Sequence, residues 1–147
     1  MIYRCGTLHD VGKIGVPDAI LKKPARLDDE EQRVMETHPA LGEIIVRRAP
    51  QLEDMLPGVR HHHERWDGRG YPDGLMADAI PRLARFIAIA DTFDAMTSDR
   101  PYRKALTVQQ ALDEIQRGAG TQFEPSLALA FVRMMTLHGQ VGQQRAA

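Results

Sequence analysis

Three consecutive histidines, His61 to His63, run directly into a glycine-containing segment that ends at Pro72, and no other stretch constrains the fold as strongly. Imidazole is the commonest metal-ligating side chain, and glycine lets a ligand approach the backbone closely. The stretch therefore predicts a binding site where a helix ends in a loop. The run is internal, unlike an affinity tag, but a surface helix end with incidental histidines would have the same sequence.

The composition is that of one ordinary globular domain of 147 residues, with 43% hydrophobic and 27% charged residues. Nineteen basic and twenty acidic residues give a net charge of -1, which argues against binding to a nucleic acid polymer. Cys5 is the only cysteine, so the chain forms no internal disulfide or thiolate cage. With neither a signal peptide nor a membrane span in the sequence, we expect a cytoplasmic protein.

Helical periodicity dominates the first half of the chain. Apolar residues recur at three- and four-residue spacings over 26–49, and Asp28 can cap the first turn. Pro39 interrupts this pattern, so it either kinks one helix at His38 or opens a second helix there. A short helix over 57–64 is expected next, followed by a loop over 66–81 that is long enough to suggest a functional role.

The most apolar helix is predicted over 82–96, and we expect the other helices to pack around it. Its Asp91 follows four apolar residues, and such a carboxylate is costly to bury unless it binds a metal or pairs with an arginine. Further helices are predicted over 107–117 and from Pro125, followed by a disordered tail over 139–147. Because no segment alternates apolar and polar residues, the predicted fold is an all-α bundle of about five to seven helices.

The candidate metal ligands are imidazoles and carboxylates only, which favours iron, manganese or another first-row metal over structural zinc or calcium. Six such ligands exceed what one metal needs in an open site, so two or more metals are expected if they converge. The six are His9, Asp10, His38, His62, His63 and Asp91.

Six motifs, in order, cover most of the chain between Leu8 and Met135, and together they resemble the HD-GYP family, a branch of the HD phosphohydrolases that hydrolyse cyclic di-GMP. They are His9-Asp10-x-Gly12-Lys13, Thr37-His38-Pro39, His62-His63-Glu64-Arg65-Trp66-Asp67-Gly68-x-Gly70-Tyr71-Pro72, Ile89-Ala90-Asp91-Thr92-Phe93-Asp94-Ala95, Ser98-Asp99-Arg100-Pro101-Tyr102-Arg103 and Gly120-Thr121-Gln122-Phe123-Glu124-Pro125.

The resemblance implies a role for each candidate residue. The six ligands named above match the metal-binding positions of the family, with Asp10 bridging two metals. Lys13, Arg100 and Arg103 match positions that hold substrate phosphate, and Asp10 and Lys13 are the expected catalytic residues. The loop Gly70-Tyr71-Pro72 is implied to border the substrate groove and to dock a diguanylate cyclase partner domain.

The activity implied by the resemblance is metal-dependent hydrolysis of cyclic di-GMP to linear pGpG, with further hydrolysis to GMP in some members, at a centre of two or three iron or manganese ions. Two alternatives stay open. One is a catalytically impaired module that binds cyclic di-GMP or a diguanylate cyclase, and the other is a different HD phosphohydrolase acting on nucleotides.

The sequence departs from the family in one respect: only eight residues precede His9, where the resemblance implies N-terminal helices that supply a further histidine ligand and, in three-metal members, a glutamate. We therefore expect residues 1–147 to form a single domain without those helices. One metal would then lack a ligand, and an uncovered core face would favour association with another chain, including a homo-oligomer.

Overall fold

The structure is a computed structural model that describes residues 1–99 and 104–145, and its regular elements there are helices and 3-10 turns joined by loops. Within these residues there is no β-strand, and one isolated bridge joins Ala119 to Phe123. The all-α prediction is confirmed. The α-helices are α1 (Ile2–Leu8), α2 (Asp18–Leu21, a single turn), α3 (Asp29–Met35), α4 (His38–Val46), α5 (Leu56–His61), α6 (Arg82–Thr97), α7 (Val108–Arg117) and α8 (Pro125–Arg145), and 3-10 turns span Val11–Gly15, Pro50–Met55 and Ala77–Ala79.

Pro39 opens a new helix. Helix α3 ends at Met35, and α4 begins at His38 with the proline in its first turn, where its missing N–H leaves no hydrogen bond unmade. The prediction of one kinked helix over this stretch is therefore wrong, and the alternative of two helices is confirmed. The expected cap on α3 is present as a capping box, in which Asp28 accepts from the N–H of Glu31 and the Glu31 side chain accepts from the N–H of Asp28.

Helix α6 lies at the centre of the bundle, as its apolar sequence predicts. It packs against α1 and α5 on one side and against α7 and α8 on the other. Ile87 faces the first group, in a core with Cys5, Met55 and Val59. On the other side, a second core contains Ile89, Met96, Ala111, Ile115, Phe123 and Ala128. One helix thus contributes to two cores.

Helix α4 and the 3-10 turn Val11–Gly15 approach each other backbone to backbone. A Cβ atom added to Gly12 would lie 1.9 Å from the carbonyl oxygen of His38 and 2.4 Å from the nitrogen of Gly42, so no other residue fits at position 12. This contact fixes the start of α4 against the segment that carries His9 and Asp10.

The later elements follow the predicted order. Thr107 caps α7 by accepting from the N–H of Gln110, and Gly118 is its C-cap. Helix α8 continues to Arg145, into the segment 139–147 for which the sequence predicts a disordered tail, and that tail stays a prediction. In the part of the chain that the structure describes, no helix has both the length and the apolar character to cross a membrane.

Candidate metal centre

Three histidines at the centre are oriented by the same kind of hydrogen bond to the backbone. In His9, His38 and His62, Nδ1 lies within hydrogen-bond distance of the carbonyl oxygen three residues earlier. A carbonyl only accepts, so each Nδ1 carries a proton, and the Nε2 atom of each ring is directed towards the other candidate ligands. The acceptors are Gly6 for His9 (2.6 Å), Met35 for His38 (2.8 Å) and Val59 for His62 (2.8 Å).

Asp10 lies among these rings. Its Oδ1 is 3.2 Å from Nε2 of His38 and 3.8 Å from Nε2 of His62. Together with His63, these residues form a four-ligand group in which one donor atom from each lies within 4.8 Å of the others. The four come from the end of α1, the start of α4 and the end of α5, elements far apart in sequence.

His9 and Asp91 lie on the other side of Asp10. Nε2 of His9 is 3.4 Å from Oδ2 of Asp10 and 3.5 Å from Oδ1 of Asp91, which extends from α6. The two oxygens of Asp10 therefore face two different sets of ligands. The structure brings together all six residues that the sequence identifies as candidate ligands.

The charges in this cluster favour a bound cation. Burial lowers the pKa of His9, but the carboxylates of Asp10 and Asp91 outweigh it and raise that pKa to about 10. Burial lowers the pKa of His63 to about 3, with help from His62 and His38, and burial also lowers the pKa of His62. The rings of His62 and His63 are thus neutral at pH 7 and can donate lone pairs, while the carboxylates attract positive charge.

The hydrogen bonding of these atoms also fits metal ligation. Nε2 of His38 and Nε2 of His62 face each other at 3.3 Å, although both rings already carry their proton on Nδ1. Two facing lone pairs repel unless positive charge lies between them. Oδ1 of Asp10 and Nε2 of His9 are buried and make no hydrogen bond within the described residues. Imidazole and carboxylate donors without thiolate suit a first-row divalent metal.

Lys13 contacts the centre directly, since its ammonium group donates a hydrogen bond to Oδ2 of Asp10. Burial raises the pKa of Asp10, but the nearby His38, His62, His9 and Lys13 outweigh this and hold the pKa far below its usual range. Asp10 is thus a carboxylate at any physiological pH. The two other predicted phosphate-binding residues, Arg100 and Arg103, lie outside the described residues.

The loop with Gly70, Tyr71 and Pro72 packs directly on the histidines. The Tyr71 ring stacks on the His63 ring with centroids 4.8 Å apart. The backbone N–H of Tyr71 donates to the His63 carbonyl. A Cβ atom at Gly70 would lie 2.4 Å from the nitrogen of Arg65, so glycine is required for this close approach. The bond to Pro72 is cis.

Several residues that hold this loop were given no role from the sequence. The buried carboxylate of Glu64 accepts from the N–H groups of Asp73 (2.8 Å) and Leu75 (3.0 Å). Arg60 makes a two-pronged contact with Asp73, at 2.7 and 2.8 Å, and also donates to Glu43 at 2.6 Å. Glu64 belongs to a recognised motif, but no sequence signal marks Arg60 or Glu43.

His61, the first of the three consecutive histidines, does not join the centre. Its Nδ1 lies 3.4 Å from Oδ2 of Asp73 and 3.7 Å from Oε1 of Glu64, a grouping that could resemble a second metal site. Both oxygens of Glu64 already accept backbone N–H groups, and both oxygens of Asp73 accept from Arg60. These carboxylates are therefore already hydrogen-bonded, and the group serves the loop.

The beginning of the loop, at Trp66 and Asp67, is anchored on the turn before α8. The N–H groups of Trp66 and Asp67 donate to the carbonyls of Gln122 and Thr121. Arg85 lies over the Trp66 ring at 5.2 Å. The motif at 120–125 thus acts at a distance from the ligands, by fixing the loop that leaves them.

A cavity of about 630 Å³ opens beside the centre, within the range of small-molecule sites. His38, His63 and Tyr71 form one part of its lining, together with Lys13. The remaining lining comes from α2, α3 and the segment between them. The candidate ligands are therefore accessible to a molecule much larger than water.

Comparison with known proteins identifies the family. The family model of the HD domain matches residues 2–127. A solved structure, the cyclic GMP-AMP specific phosphodiesterase of Vibrio cholerae (V-cGAP3), has the same fold with a TM-score of 0.66 and 19% sequence identity, covering 92% of this chain and 37% of that chain. The sequence relatives share a larger fraction of identical residues with this chain than V-cGAP3 does.

Three relatives illustrate the similarity. The chain is 42% identical over 137 residues to the cyclic di-GMP phosphodiesterase response regulator RpfG of Xanthomonas campestris pv. campestris, covering 90% of this chain and 36% of the relative. It is 43% identical over 129 residues to a cyclic di-GMP phosphodiesterase of Thermotoga maritima, with 86% and 35% covered. The 3'3'-cGAMP-specific phosphodiesterase 2 of Vibrio cholerae is also 43% identical over 129 residues, with 86% and 25% covered.

The chain spans about a third or less of the length of these relatives. Within that span the match includes the His-Asp pair, the histidine run and the loop that follows it. The chain therefore belongs to the HD domain family, in the HD-GYP branch that its motifs indicate.

Proposed function

We propose that this chain is the catalytic unit of a metal-dependent phosphodiesterase that hydrolyses cyclic di-GMP to linear pGpG and, by a second cleavage, to GMP. The observation that carries the proposal is the convergence of six imidazole and carboxylate ligands beside a cavity of about 630 Å³. The names of the sequence relatives support the substrate class.

The metals are proposed to be two or three divalent ions, iron or manganese. Support for more than one ion comes from Asp10, whose two oxygens face separate ligand sets. His38, His62 and His63 would complete one set, and His9 with Asp91 would form the other. When bound, such ions supply Lewis acidity and lower the pKa of a coordinated water.

The residues of the chain then have distinct tasks. The carbonyl contacts of His9, His38 and His62 keep their Nε2 atoms directed at the ions. Lys13, which lines both the centre and the cavity, would place its ammonium group near the phosphoryl oxygens and stabilise the charge that grows on them. Arg100 and Arg103 are proposed to contribute further phosphate contacts.

The direct test is metal analysis combined with a turnover assay. Protein purified without oxygen is analysed for metal, reconstituted with Fe²⁺ or Mn²⁺, and incubated with cyclic di-GMP or 3'3'-cGAMP. We expect metal-dependent formation of pGpG. Metal-loaded protein that does not cleave cyclic di-GMP would contradict the proposal, and cleavage of 3'3'-cGAMP alone would assign it a different cyclic dinucleotide.

A substitution at Asp10 tests the centre itself. Asp10→Ala removes the carboxylate shared by both ligand sets, so we expect loss of metal content and of turnover together. Asp113→Ala is the matched control, because Asp113 is an exposed carboxylate on α7 that bonds only Gln109 among the described residues. Turnover that survives Asp10→Ala would overturn the metal mechanism.

The alternative function is binding without hydrolysis, as a module for cyclic di-GMP or for a diguanylate cyclase docked on the loop around Gly70-Tyr71-Pro72. The exposed side chain of Met76, in the same loop, leaves an apolar surface for such a partner. Tight binding of cyclic di-GMP without turnover would favour this function. Homo-oligomer formation and the cytoplasmic location stay predictions.

A further inference from the structure

The cavity beside the centre extends well beyond the metal ligands. Part of its lining is His38, His63 and Tyr71. Another part is the segment that joins α2 to α3, including Lys23 and Arg26. This second part contains none of the candidate metal ligands.

The lining of the cavity carries positive charge. Among the described residues that line the cavity there are three cations, Lys13, Lys23 and Arg26, and no carboxylate. Lys13 pairs with Asp10, and Lys23 pairs with Glu31. Arg26 has no ion pair or hydrogen bond to any described side chain, so its guanidinium is free to bind an anion.

The segment that carries Arg26 is held in place at both ends. Lys23 contacts Glu31 and lies 4.0 Å from Asp28, the residue that caps α3. Leu27 and Met35 provide apolar lining beside these charges. Cations and apolar side chains that line one cavity suit a nucleotide, whose phosphate is charged and whose base is flat and largely apolar on its faces.

We propose that Arg26, assisted by Lys23, forms a subsite for the second phosphate of a cyclic dinucleotide while the first phosphate lies at the metal ligands. This inference rests on the proposed function and deepens it. The subsite distinguishes a substrate with two phosphodiesters from one with a single phosphodiester. Because the contact is electrostatic, the affinity for cyclic di-GMP should fall as ionic strength rises. Part of that fall should depend on Arg26 and Lys23, although they are remote from the scissile bond.

The test compares two substrates. For Arg26→Ala we expect the KM for cyclic di-GMP to rise about tenfold, the loss typical of one charge-assisted contact, with kcat little changed. For bis(p-nitrophenyl) phosphate, which has one phosphodiester, kcat/KM should be unchanged. Lys22→Ala is the matched control, because Lys22 is the exposed neighbour of Lys23, pairs with Asp18 and does not line the cavity.

Each outcome decides the inference. An unchanged KM for cyclic di-GMP in Arg26→Ala would overturn it, and so would an equal loss on both substrates, which would indicate damage to the centre. If the wild-type protein cleaves bis(p-nitrophenyl) phosphate but not cyclic di-GMP, the proposed function fails separately. Equilibrium binding of cyclic di-GMP then decides the subsite: weaker binding by Arg26→Ala supports it, and equal affinity or no binding by the wild type overturns it.

Discussion

Asp10 shows how much of the candidate site is set by single residues. Residue type and motif singled out all six candidate ligands, which the structure brings together. The sequence could not predict that the two oxygens of Asp10 face different ligand sets, or that Tyr71 stacks on His63. Those relations depend on side-chain rotamers and on contacts between distant segments.

Arg60 and Glu43 illustrate the limit more clearly. Both are ordinary charged residues on helices, and sequence spacing gives no reason to pair Arg60 with Glu43 or with Asp73 in a distant loop. Glycine at position 12 is likewise explained only by the backbone of α4 lying against it. Such roles arise from tertiary packing, which sequence periodicity does not encode.

Cys5 gives a prediction at this scale. Burial, with a smaller contribution from Asp54, raises the pKa of its thiol to about 11 from 9.0. At pH 8 the thiolate fraction is then about a hundredfold below that of an unperturbed cysteine. We expect iodoacetamide to label the folded protein very slowly and the guanidinium-unfolded protein rapidly, as read by mass spectrometry.

The same shift has a consequence for stability. The unfolded thiol ionises near pH 9 and the folded thiol near pH 11. The contribution of the buried, protonated thiol to the free energy of unfolding is therefore fully present below pH 9 and is lost as the pH rises towards 11. Rapid labelling of the native protein at pH 8 would contradict the burial of Cys5.

At the scale of elements, strong local sequence signals were sufficient to predict several helices and their caps. The apolar run predicted α6, Thr107 predicted the start of α7, and Asp28 with Glu31 predicted the capping box of α3. Pro39 left two solutions open, since a proline can kink a helix or begin one. The single turn α2 was not predicted, because a four-residue helix has too few residues to show periodicity.

The loop after the histidines is an element whose geometry depends on Arg60. Replacing Arg60 with Ala leaves Asp73 without its two-pronged partner and removes a contact to Glu43. We expect a loss of about 1–2 kcal/mol in urea unfolding, since the pair is partly exposed. Faster limited proteolysis within residues 67–79 should accompany it.

The control for this prediction is Arg47→Ala. Arg47 also pairs with Glu43, but it is more exposed and does not contact the loop. Its removal should leave proteolysis of 67–79 unchanged. Equal protease resistance in Arg60→Ala and the wild type would show that the loop is held without Arg60.

At the scale of the whole molecule, α6 joins two cores and also carries Asp91. The ligands themselves come from α1, α4, α5 and α6 or their ends, so the centre exists only when these helices are packed together. Unfolding of either core should therefore disrupt the ligand geometry. This dependence of the ligand geometry on both cores follows from the fold. The sequence motifs indicate it only in that they lie far apart along the chain.

Metal binding should accordingly stabilise the native protein. A ligand at a hundred times its Kd adds about 2.7 kcal/mol, which for a domain of this size raises Tm by about 5–10 °C. Differential scanning fluorimetry with Mn²⁺, reversed by EDTA, measures this effect. Asp10→Ala should show no rise, Asp113→Ala should show the full rise, and a Tm indifferent to Mn²⁺ in the wild type would contradict metal binding.

The hydrogen bonds from Nδ1 of His9, His38 and His62 to carbonyls three residues earlier have a thermodynamic consequence. They fix the tautomer and the ring orientation during folding, so the rotational entropy of these side chains is lost before any ion arrives. An incoming ion meets a preorganised coordination shell. The binding free energy of that ion is then reduced less by ligand reorganisation than it would be at a site whose side chains must first move into place.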